Sequence, residues 1–222
     1  MNPQEAIDAR HSVRAYVDRP IPEAVRQELN AFVENCNRKA KLGVFIQYDD
    51  PDGFDSRLAH YGHFRNVRNY IVLKGTPQQD FDYLCGYYGE RIVLYAQSLG
   101  LNTCWAALTF NKRKVRQLLK DGETLSMVIA LGYGETNGTN RKSKSFHDVT
   151  EGVDKPPRWF VDGVEAALKA PTAMNQQKFA FSITDGEAMA RVKGFGPYAK
   201  VDLGIVCCHF EAVTGRKVRV CF

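Results

Sequence analysis

The stretch FDYLCGYYGERIVLYAQSL, from Phe81 to Leu99, decides the fold of this chain. Its residues are apolar around much of a helical circumference, and Gly100 follows at once, so the stretch predicts a long helix that ends there. A helix that is apolar on most faces must be covered on most faces. We therefore expect this helix to be central, with the other elements packed around it.

A second stretch of the same kind lies near the carboxyl end of the chain. Asp202–Thr214 predicts a helix that stops at Gly215. Gly204 and Gly215 have the same spacing as Gly89 and Gly100 in the first helix. The repeated order of elements around these glycines predicts a degenerate duplication. The alternative is that the two orders agree by chance.

The remaining pattern predicts alternating helices and strands. Helical spacing of apolar residues predicts further helices at Ile21–Asn37, at Trp159–Lys169 and, capped by Asn111, up to Lys120. Short apolar runs predict strands at Val44–Tyr48, Val67–Lys74, Leu101–Ala107, Leu125–Tyr133, Phe179–Thr184 and Val218–Phe222. A linker rich in Gly, Asn and Lys covers 134–145. Since the order restarts after Pro156 and Pro157, we expect a first half at 1–145 and a shorter, degenerate second half at 146–222, together forming one compact unit.

The composition excludes several classes of protein. The chain has 222 residues, 44% of them hydrophobic, but no apolar run approaches the roughly 20 residues of a membrane span, and Met1–Ser12 does not resemble a signal core. We expect a cytoplasmic protein. The net charge of +5 is small for a nucleic-acid binder. Part of it comes from Arg141, Lys142 and Lys144, which form either a solvated loop or a clamp for a small phosphate. Neither nucleic acid nor a membrane is expected as a partner.

Cysteine and histidine give no metal motif. The six cysteines show no CxxC spacing and mostly lie within apolar segments, which predicts buried thiols in a reducing compartment. His209 lies along an apolar helix and is interpreted as a core histidine. His60 and His63 lie three residues apart, but a metal site needs more ligands than these. No metal is expected.

Two short polar motifs carry the chemistry of the chain. RHSVR, Arg10–Arg14, places two guanidinium groups and a hydroxyl within five residues, a set that suits phosphate and polyol oxygens. APTAMNQQ, Ala170–Gln177, offers donors and acceptors from Thr172, Asn175 and Gln176, the mixture needed at the edge of a flat heterocycle. The alternatives are that the arginines are solvated at a helix end and that the amides cap a helix.

Together with YAQSLGLNTCW (Tyr95–Trp105) and RKSKSFHDV (Arg141–Val149), these motifs resemble the FMN-dependent nitroreductase family, in its duplicated single-chain branch. The resemblance implies an α+β fold, a nitroreductase-like α/β sandwich with mostly antiparallel sheets and two pseudo-symmetric halves in one chain. In the ordinary family the polar loop directly follows the first long helix, where this chain has ENCNRKAK (Glu34–Lys41).

The family's dimer accounts for this displacement. Each of its flavin sites takes the Arg and Ser motif from one subunit and part of the polar loop from the other. After a tandem duplication, the first half would keep RHSVR and the second half would keep APTAMNQQ. The resemblance therefore implies one flavin site per chain and a monomer.

The same resemblance assigns the site residues. Arg10, Ser12 and Arg14 would hold the FMN phosphate and ribityl chain, with main-chain groups of His11. Arg141, Lys142 and Lys144 would close on the phosphate. Backbone N–H groups at Ala106, Ala107, Leu108 and Thr109 would face the reactive flavin nitrogen. Pro171, Thr172, Ala173, Met174, Asn175 and Gln176 would flank the ring.

The implied activity is that of an FMN-dependent oxidoreductase. A hydride would pass from NAD(P)H to flavin N5 and then to a small acceptor such as a nitroaromatic or a quinone. Because the flavin performs the transfer, no catalytic side chain is expected, in agreement with the lack of a GxSxG motif or a P-loop. The alternatives are a flavin-binding or flavin-storing protein with little turnover and a cofactor-free scaffold.

Overall fold

The structure is a computed structural model that describes the backbone of residues 1–222 and all side chains except those of Leu58 and His60. The helices are α1 (Pro3–Ala9), α2 (Glu23–Ala40), α3 (Arg57–Tyr61), α4 (Phe81–Ser98), α5 (Lys112–Arg116), α6 (Arg158–Leu168) and α7 (Ala199–Thr214). The strands are β1 (Phe45–Gln47), β2 (Asn69–Gly75), β3 (Asn102–Ala106), β4 (Thr124–Gly132), β5 (Phe179–Thr184), β6 (Glu187–Val192) and β7 (Val218–Cys221).

The chain divides into two units that are discontinuous in sequence. The first unit contains residues 9–81 and 92–140, and the second contains residues 1–8, 82–91 and 141–222. RHSVR belongs to the first unit, and APTAMNQQ belongs to the second.

A four-stranded antiparallel sheet forms the first unit. The strand order is β1-β2-β4-β3, and Ile71 of β2 pairs with Ile129 of β4 at the centre. All residues of β2 are buried, which explains why its sequence is a nearly continuous apolar run instead of an alternating one. Helix α2 buries Leu29, Val33 and Cys36, one face of its amphipathic pattern.

The RHSVR segment runs beside this sheet. It follows α1 in extended conformation, Ser12 forms a parallel bridge with Thr103 of β3, and the Val13 amide donates to the Thr103 carbonyl at 3.0 Å. The edge of the sheet thereby fixes the backbone of the motif.

The second unit is built on a three-stranded sheet in the order β5-β6-β7, with β5 and β6 antiparallel and β6 and β7 parallel. Phe181 of β5 stacks on Phe210 of α7, with ring centroids 5.0 Å apart. Helices α6 and α7 approach closely because Gly163 has no side chain; a Cβ there would lie 2.4 Å from the Phe210 ring. Aromatic packing around Phe210 thus forms the core of this unit.

Glycines also allow α4 and α7 to approach closely within the second unit. A Cβ on Gly86 would lie 2.0 Å from the Val201 carbonyl oxygen, and one on Gly204 would lie 2.2 Å from the Tyr83 carbonyl oxygen. The two contacts are reciprocal, since each glycine meets the residue three positions before the other. The backbones of the two helices therefore touch at this point.

The α+β class with mostly antiparallel sheets is confirmed. Most predicted helices and strands are present with ends shifted by a few residues, and β5 has the predicted bounds. Helix α5 begins after its Asn111 cap but ends at Arg116, because the chain then continues with i→i+3 hydrogen bonds such as Leu118 N to Val115 O at 3.0 Å. The sequence did not predict α1, α3 or β6. None of the described helices has the length and apolar character needed to cross a membrane.

Candidate functional site

The spacing of RHSVR is explained by its extended backbone. Side chains alternate between the two faces of an extended segment, so Arg10, Ser12 and Arg14 share one face while Val13 packs into the core on the other. Arg10 is only 5% exposed. Arg14 is exposed, and its guanidinium lies over the Phe64 ring, 5.9 Å from the centroid. The burial of Arg10 argues against the alternative interpretation, in which both arginines are solvated.

The three side chains converge on the thiol of Cys104. Burial raises the pKa of Cys104, whereas the charges of Arg14 and Arg10 and a hydrogen bond with Ser12 act in the opposite direction. The two guanidinium groups therefore oppose the larger effect of burial on this thiol. The motif thus forms a cluster of two guanidinium groups and a hydroxyl near Cys104 within the first unit.

The segment that follows β4 packs against this cluster. The Gly134 amide donates to Asn102 Oδ1 at 2.9 Å. Gly138 has φ +80, and a Cβ there would lie 2.6 Å from the Cβ of His11. Only glycine accommodates both this backbone conformation and this contact.

The predicted 106–109 segment continues from the strand that RHSVR joins. Ala106 ends β3 and pairs with Val128, and the chain then bends through the next residues. Thr109 is tightly packed, since a Cβ on Gly62 would lie 2.7 Å from its Cβ, whereas Leu108 is 50% exposed. Ala107, which precedes both, is half-buried. In the first unit, the segments 10–14 and 106–109 therefore both adjoin β3.

The APTAMNQQ loop of the second unit has an unusual backbone. Met174, Asn175 and Gln177 have φ values of 51, 55 and 48. A left-handed conformation costs a non-glycine residue about 1–2 kcal/mol. Met174 is also 90% exposed. A loop with this much strain needs strong contacts to hold it.

Asp202 at the start of α7 supplies one of these contacts. Its two carboxylate oxygens accept from the Ala173 amide at 3.0 and 3.1 Å. Thr172 Oγ1 accepts from the Gln177 amide at 3.1 Å, which closes the loop on itself. Burial raises the pKa of Asp202 to about 6, while the Ala173 amide and the charge of Arg141 act to lower it.

Gln177 joins the loop to the basic segment 141–144. Its side chain is buried; Nε2 donates to Leu168 O at 2.9 Å and to Ser143 Oγ at 3.0 Å, and Oε1 accepts from the Lys144 amide at 2.7 Å. The Lys144 ammonium donates to the Gln177 carbonyl at 2.9 Å, and Arg141 donates to the Ala170 carbonyl. These two cations therefore support the loop, whereas Lys142 contacts it through its main-chain carbonyl.

One acceptor in the loop is left open. Asn175 Nδ2 donates to the Lys142 carbonyl at 2.7 Å, so this amide does not cap a helix. Its other atom, Oδ1, is buried and lacks a hydrogen-bond partner among the described atoms. A buried acceptor without a partner costs free energy until a donor reaches it. Of the other residues predicted to flank the ring, Pro171 is buried and Gln176 is exposed.

The motifs alone did not reveal three residues that shape the loop. Gln177 was the last letter of APTAMNQQ, but its polar side chain gave no sign of being buried. Asp202 was interpreted as the start of a helix, where acidic residues are common. Ser143 was missed because the segment around it was interpreted by the charge of its basic residues.

His209 is a core histidine, as the sequence indicated, but it has a carboxylate partner. It is fully buried, with Nε2 2.8 Å from Glu90 Oε1 and Nδ1 3.1 Å from the Ala166 carbonyl oxygen. Since a carbonyl only accepts, Nδ1 carries a proton and donates to it. The described side chains contain no cluster arranged to hold a metal, and the side chain of His60 lies outside them.

Comparison with known proteins gives the family. The family model described as "Putative TM nitroreductase" matches residues 2–214. A crystal structure from Thermotoga maritima, described as a putative nitroreductase, is 27% identical and aligns with a TM-score of 0.69 over 96% of this chain and 83% of that chain. No match was found among curated proteins.

Two more distant structures share the fold. A structure from Desulfovibrio desulfuricans, described as a putative nitroreductase in complex with FMN, is 15% identical, with a TM-score of 0.54 over 70% of this chain and 98% of that chain. An NADPH:FMN oxidoreductase from Vibrio harveyi in complex with NAD⁺ is also 15% identical, with a TM-score of 0.56 over 71% of this chain and 80% of that chain. Since the family model spans nearly the whole sequence, this chain belongs to the nitroreductase family.

Proposed function

We propose that the protein is an FMN-dependent oxidoreductase that takes hydride from NAD(P)H and passes it to a small acceptor such as a nitroaromatic or a quinone. Membership of the nitroreductase family across residues 2–214 carries this proposal. Support comes from two structures of the same fold, one of which contains FMN and the other NAD⁺.

Arg10, Ser12 and Arg14 are proposed to hold the FMN phosphate and the ribityl chain. The fit is chemical, because a phosphate needs several strong donors and these side chains provide two guanidinium groups and a hydroxyl on one face of an extended segment. Because Arg14 is exposed and Arg10 is buried, Arg14 would meet the ligand directly while Arg10 would strengthen the local positive field.

The loop at 171–176 is proposed to contact the flavin ring. Asn175 Oδ1 would accept a hydrogen bond from a ring N–H, which would give this buried oxygen the partner that it lacks among the described atoms. Main-chain groups at 106–109 are proposed to face the reactive nitrogen. Of the basic residues, Lys142 has an exposed side chain that suits the phosphate, while Arg141 and Lys144 would act chiefly by holding the loop.

FMN, when bound, supplies the two-electron chemistry that amino-acid side chains do not provide. The contribution of this chain is to bind and orient the ligand. Arg10 and Arg14 also provide fixed positive charge, which stabilises negative charge near them without reorganisation during the reaction.

We also propose that the protein is a cytoplasmic monomer without a nucleic-acid or membrane partner. The reciprocal contact of Gly86 with Val201 and of Gly204 with Tyr83 has the pattern of a twofold interface, here within a single chain. This supports the duplication and a monomeric state. The six free cysteines, of which only Cys221 is exposed, fit a reducing compartment.

Anaerobic addition of NADH or NADPH to the FMN-loaded protein tests the activity. We expect the visible absorbance of oxidised flavin to disappear and to return when a nitroaromatic or a quinone is added. Yellow protein that neither reductant bleaches would indicate flavin storage. Protein that remains colourless with added FMN would indicate a scaffold and would contradict the proposal.

A further inference from the structure

Asp202 holds a loop in which several non-glycine residues have left-handed backbone. The Ala173 amide that it binds lies directly before Met174 and Asn175, both in left-handed conformation. Without an acceptor at position 202, this amide would lose its partner, and the two following residues would be free to relax toward ordinary backbone angles.

We propose that Asp202 is a positioning residue for the flavin: its carboxylate, by accepting the Ala173 amide, holds the 172–177 loop so that Asn175 Oδ1 is aimed at a ligand donor. The inference rests on the proposed function, and it assigns Asp202 no contact with the reacting atoms.

Burying a carboxylate at position 202 costs free energy, because its charged form loses water, and a purely structural role would not require this cost. Asp202 is only 7% exposed, and burial penalises its charged form. Arg141 is the charged group that acts on it, from the 141–144 segment, and that arginine donates to the Leu168 carbonyl at 3.3 Å and to the Ala170 carbonyl. Asp202 forms no direct ion pair with any of the described side chains, so its hydrogen bonds to the Ala173 amide are what the buried charge provides.

The strain explains why such a clamp is useful. A loop that relaxed in the absence of ligand would have to be reordered at each binding event, and that cost would be subtracted from the affinity. A loop held in advance by Asp202, Gln177 and Lys144 presents its open acceptor without reordering.

The experiment compares FMN affinity among wild-type protein, Asp202→Ala and Asp202→Asn by fluorescence titration. Alanine removes the acceptor, so we expect the dissociation constant to rise about tenfold or more. Asparagine keeps an oxygen that can accept from the Ala173 amide, so we expect it to recover most of this loss. Asp148→Ala is the control, because the Asp148 carboxylate also accepts a backbone amide in the second unit, but its hydrogen bonds go to Ser145, at 2.9 Å from the amide and 2.7 Å from the hydroxyl, and not to the loop.

Amide exchange of the apoprotein gives an independent readout of the clamp. We expect the Ala173 amide to lose protection in Asp202→Ala and to keep it in Asp202→Asn and Asp148→Ala. Folded Asp202→Ala that binds FMN as tightly as wild type, or no more weakly than Asp148→Ala, would overturn the inference and leave the proposed function intact. Wild-type protein that takes up no FMN would overturn the proposed function and the inference with it.

Discussion

Arg14 and Arg19 differ in position but have similar surroundings, which makes them a matched pair. Both are exposed, and both guanidinium groups lie over an aromatic ring, at 5.9 Å from the Phe64 centroid for Arg14 and 4.0 Å from the Tyr133 centroid for Arg19. Only Arg14 lies in RHSVR.

We expect Arg14→Ala to weaken FMN binding by about 1.5–3 kcal/mol, because it removes a charge-assisted hydrogen bond to the phosphate. Arg19→Ala should leave the affinity nearly unchanged. Fluorescence titration with FMN measures both variants. Equal affinity of Arg14→Ala and wild type would remove Arg14 from the site.

The raised pKa of Asp202 predicts how the stability of the protein changes with pH. Burial raises its pKa from the usual 3.8 to about 6, so the folded protein favours the protonated form. The stability associated with this group is therefore fully present below about pH 4 and is lost as the pH rises through about 6. A pKa difference of this size corresponds to about 3 kcal/mol.

Asp202→Asn should therefore gain stability relative to wild type as the pH rises from about 4 to about 7. Urea unfolding of both apoproteins across this range measures the difference, in which contributions from the other titrating groups largely cancel. A variant whose deficit or gain stays constant with pH would show that Asp202 does not titrate as described.

At the scale of single residues, the sequence indicated which residue types belong to the site but not how they are arranged. The RxSxR spacing suggested neighbours on a helix end, whereas the extended backbone puts all three side chains on one face. The basic run 141–144 was equally compatible with a phosphate clamp and a solvated loop. The role of Lys144 in holding the Gln177 carbonyl depends on a tertiary contact that local sequence does not specify.

The stability of the second unit is expected to be most sensitive to substitution where α4 and α7 touch, at Gly86 and Gly204. We expect Gly86→Ala and Gly204→Ala each to destabilise the protein by about 3 kcal/mol, because a methyl group would meet a backbone carbonyl that has little freedom to move. Gly196→Ala is the control, since the nearest atom to a Cβ there is Lys178 Nζ at 4.0 Å. Thermal unfolding of the three variants compares them. Gly86→Ala with the melting temperature of the control would contradict the contact.

Element prediction succeeded where apolar periodicity was strong and failed where tertiary contacts set the structure. The long runs of α2, α4 and α7 were recognised with ends shifted by a few residues. Strand β6 was missed because Glu187–Val192 contains residues with little strand preference. The signal was present in Asp185 and Gly186, which have φ values of 52 and 77 and form the tight turn of a hairpin.

The two long helices meet at a different glycine of α4 from the one that the predicted duplication matches with Gly204. The glycine spacing suggested that Gly89 corresponds to Gly204, whereas the reciprocal helix contact pairs Gly86 with Gly204. Helices that cross through their backbones need glycine at the crossing, so this position is constrained more strongly than the helix ends. The correspondence of the two halves stays a prediction.

The whole molecule is expected to carry one flavin on one chain. Native mass spectrometry of the protein after loading with FMN reports the number of chains and of flavins in the same species. The account predicts a single chain with a single FMN. A species without FMN, a chain with two FMN molecules, or a homodimer as the smallest FMN-bound species would contradict it.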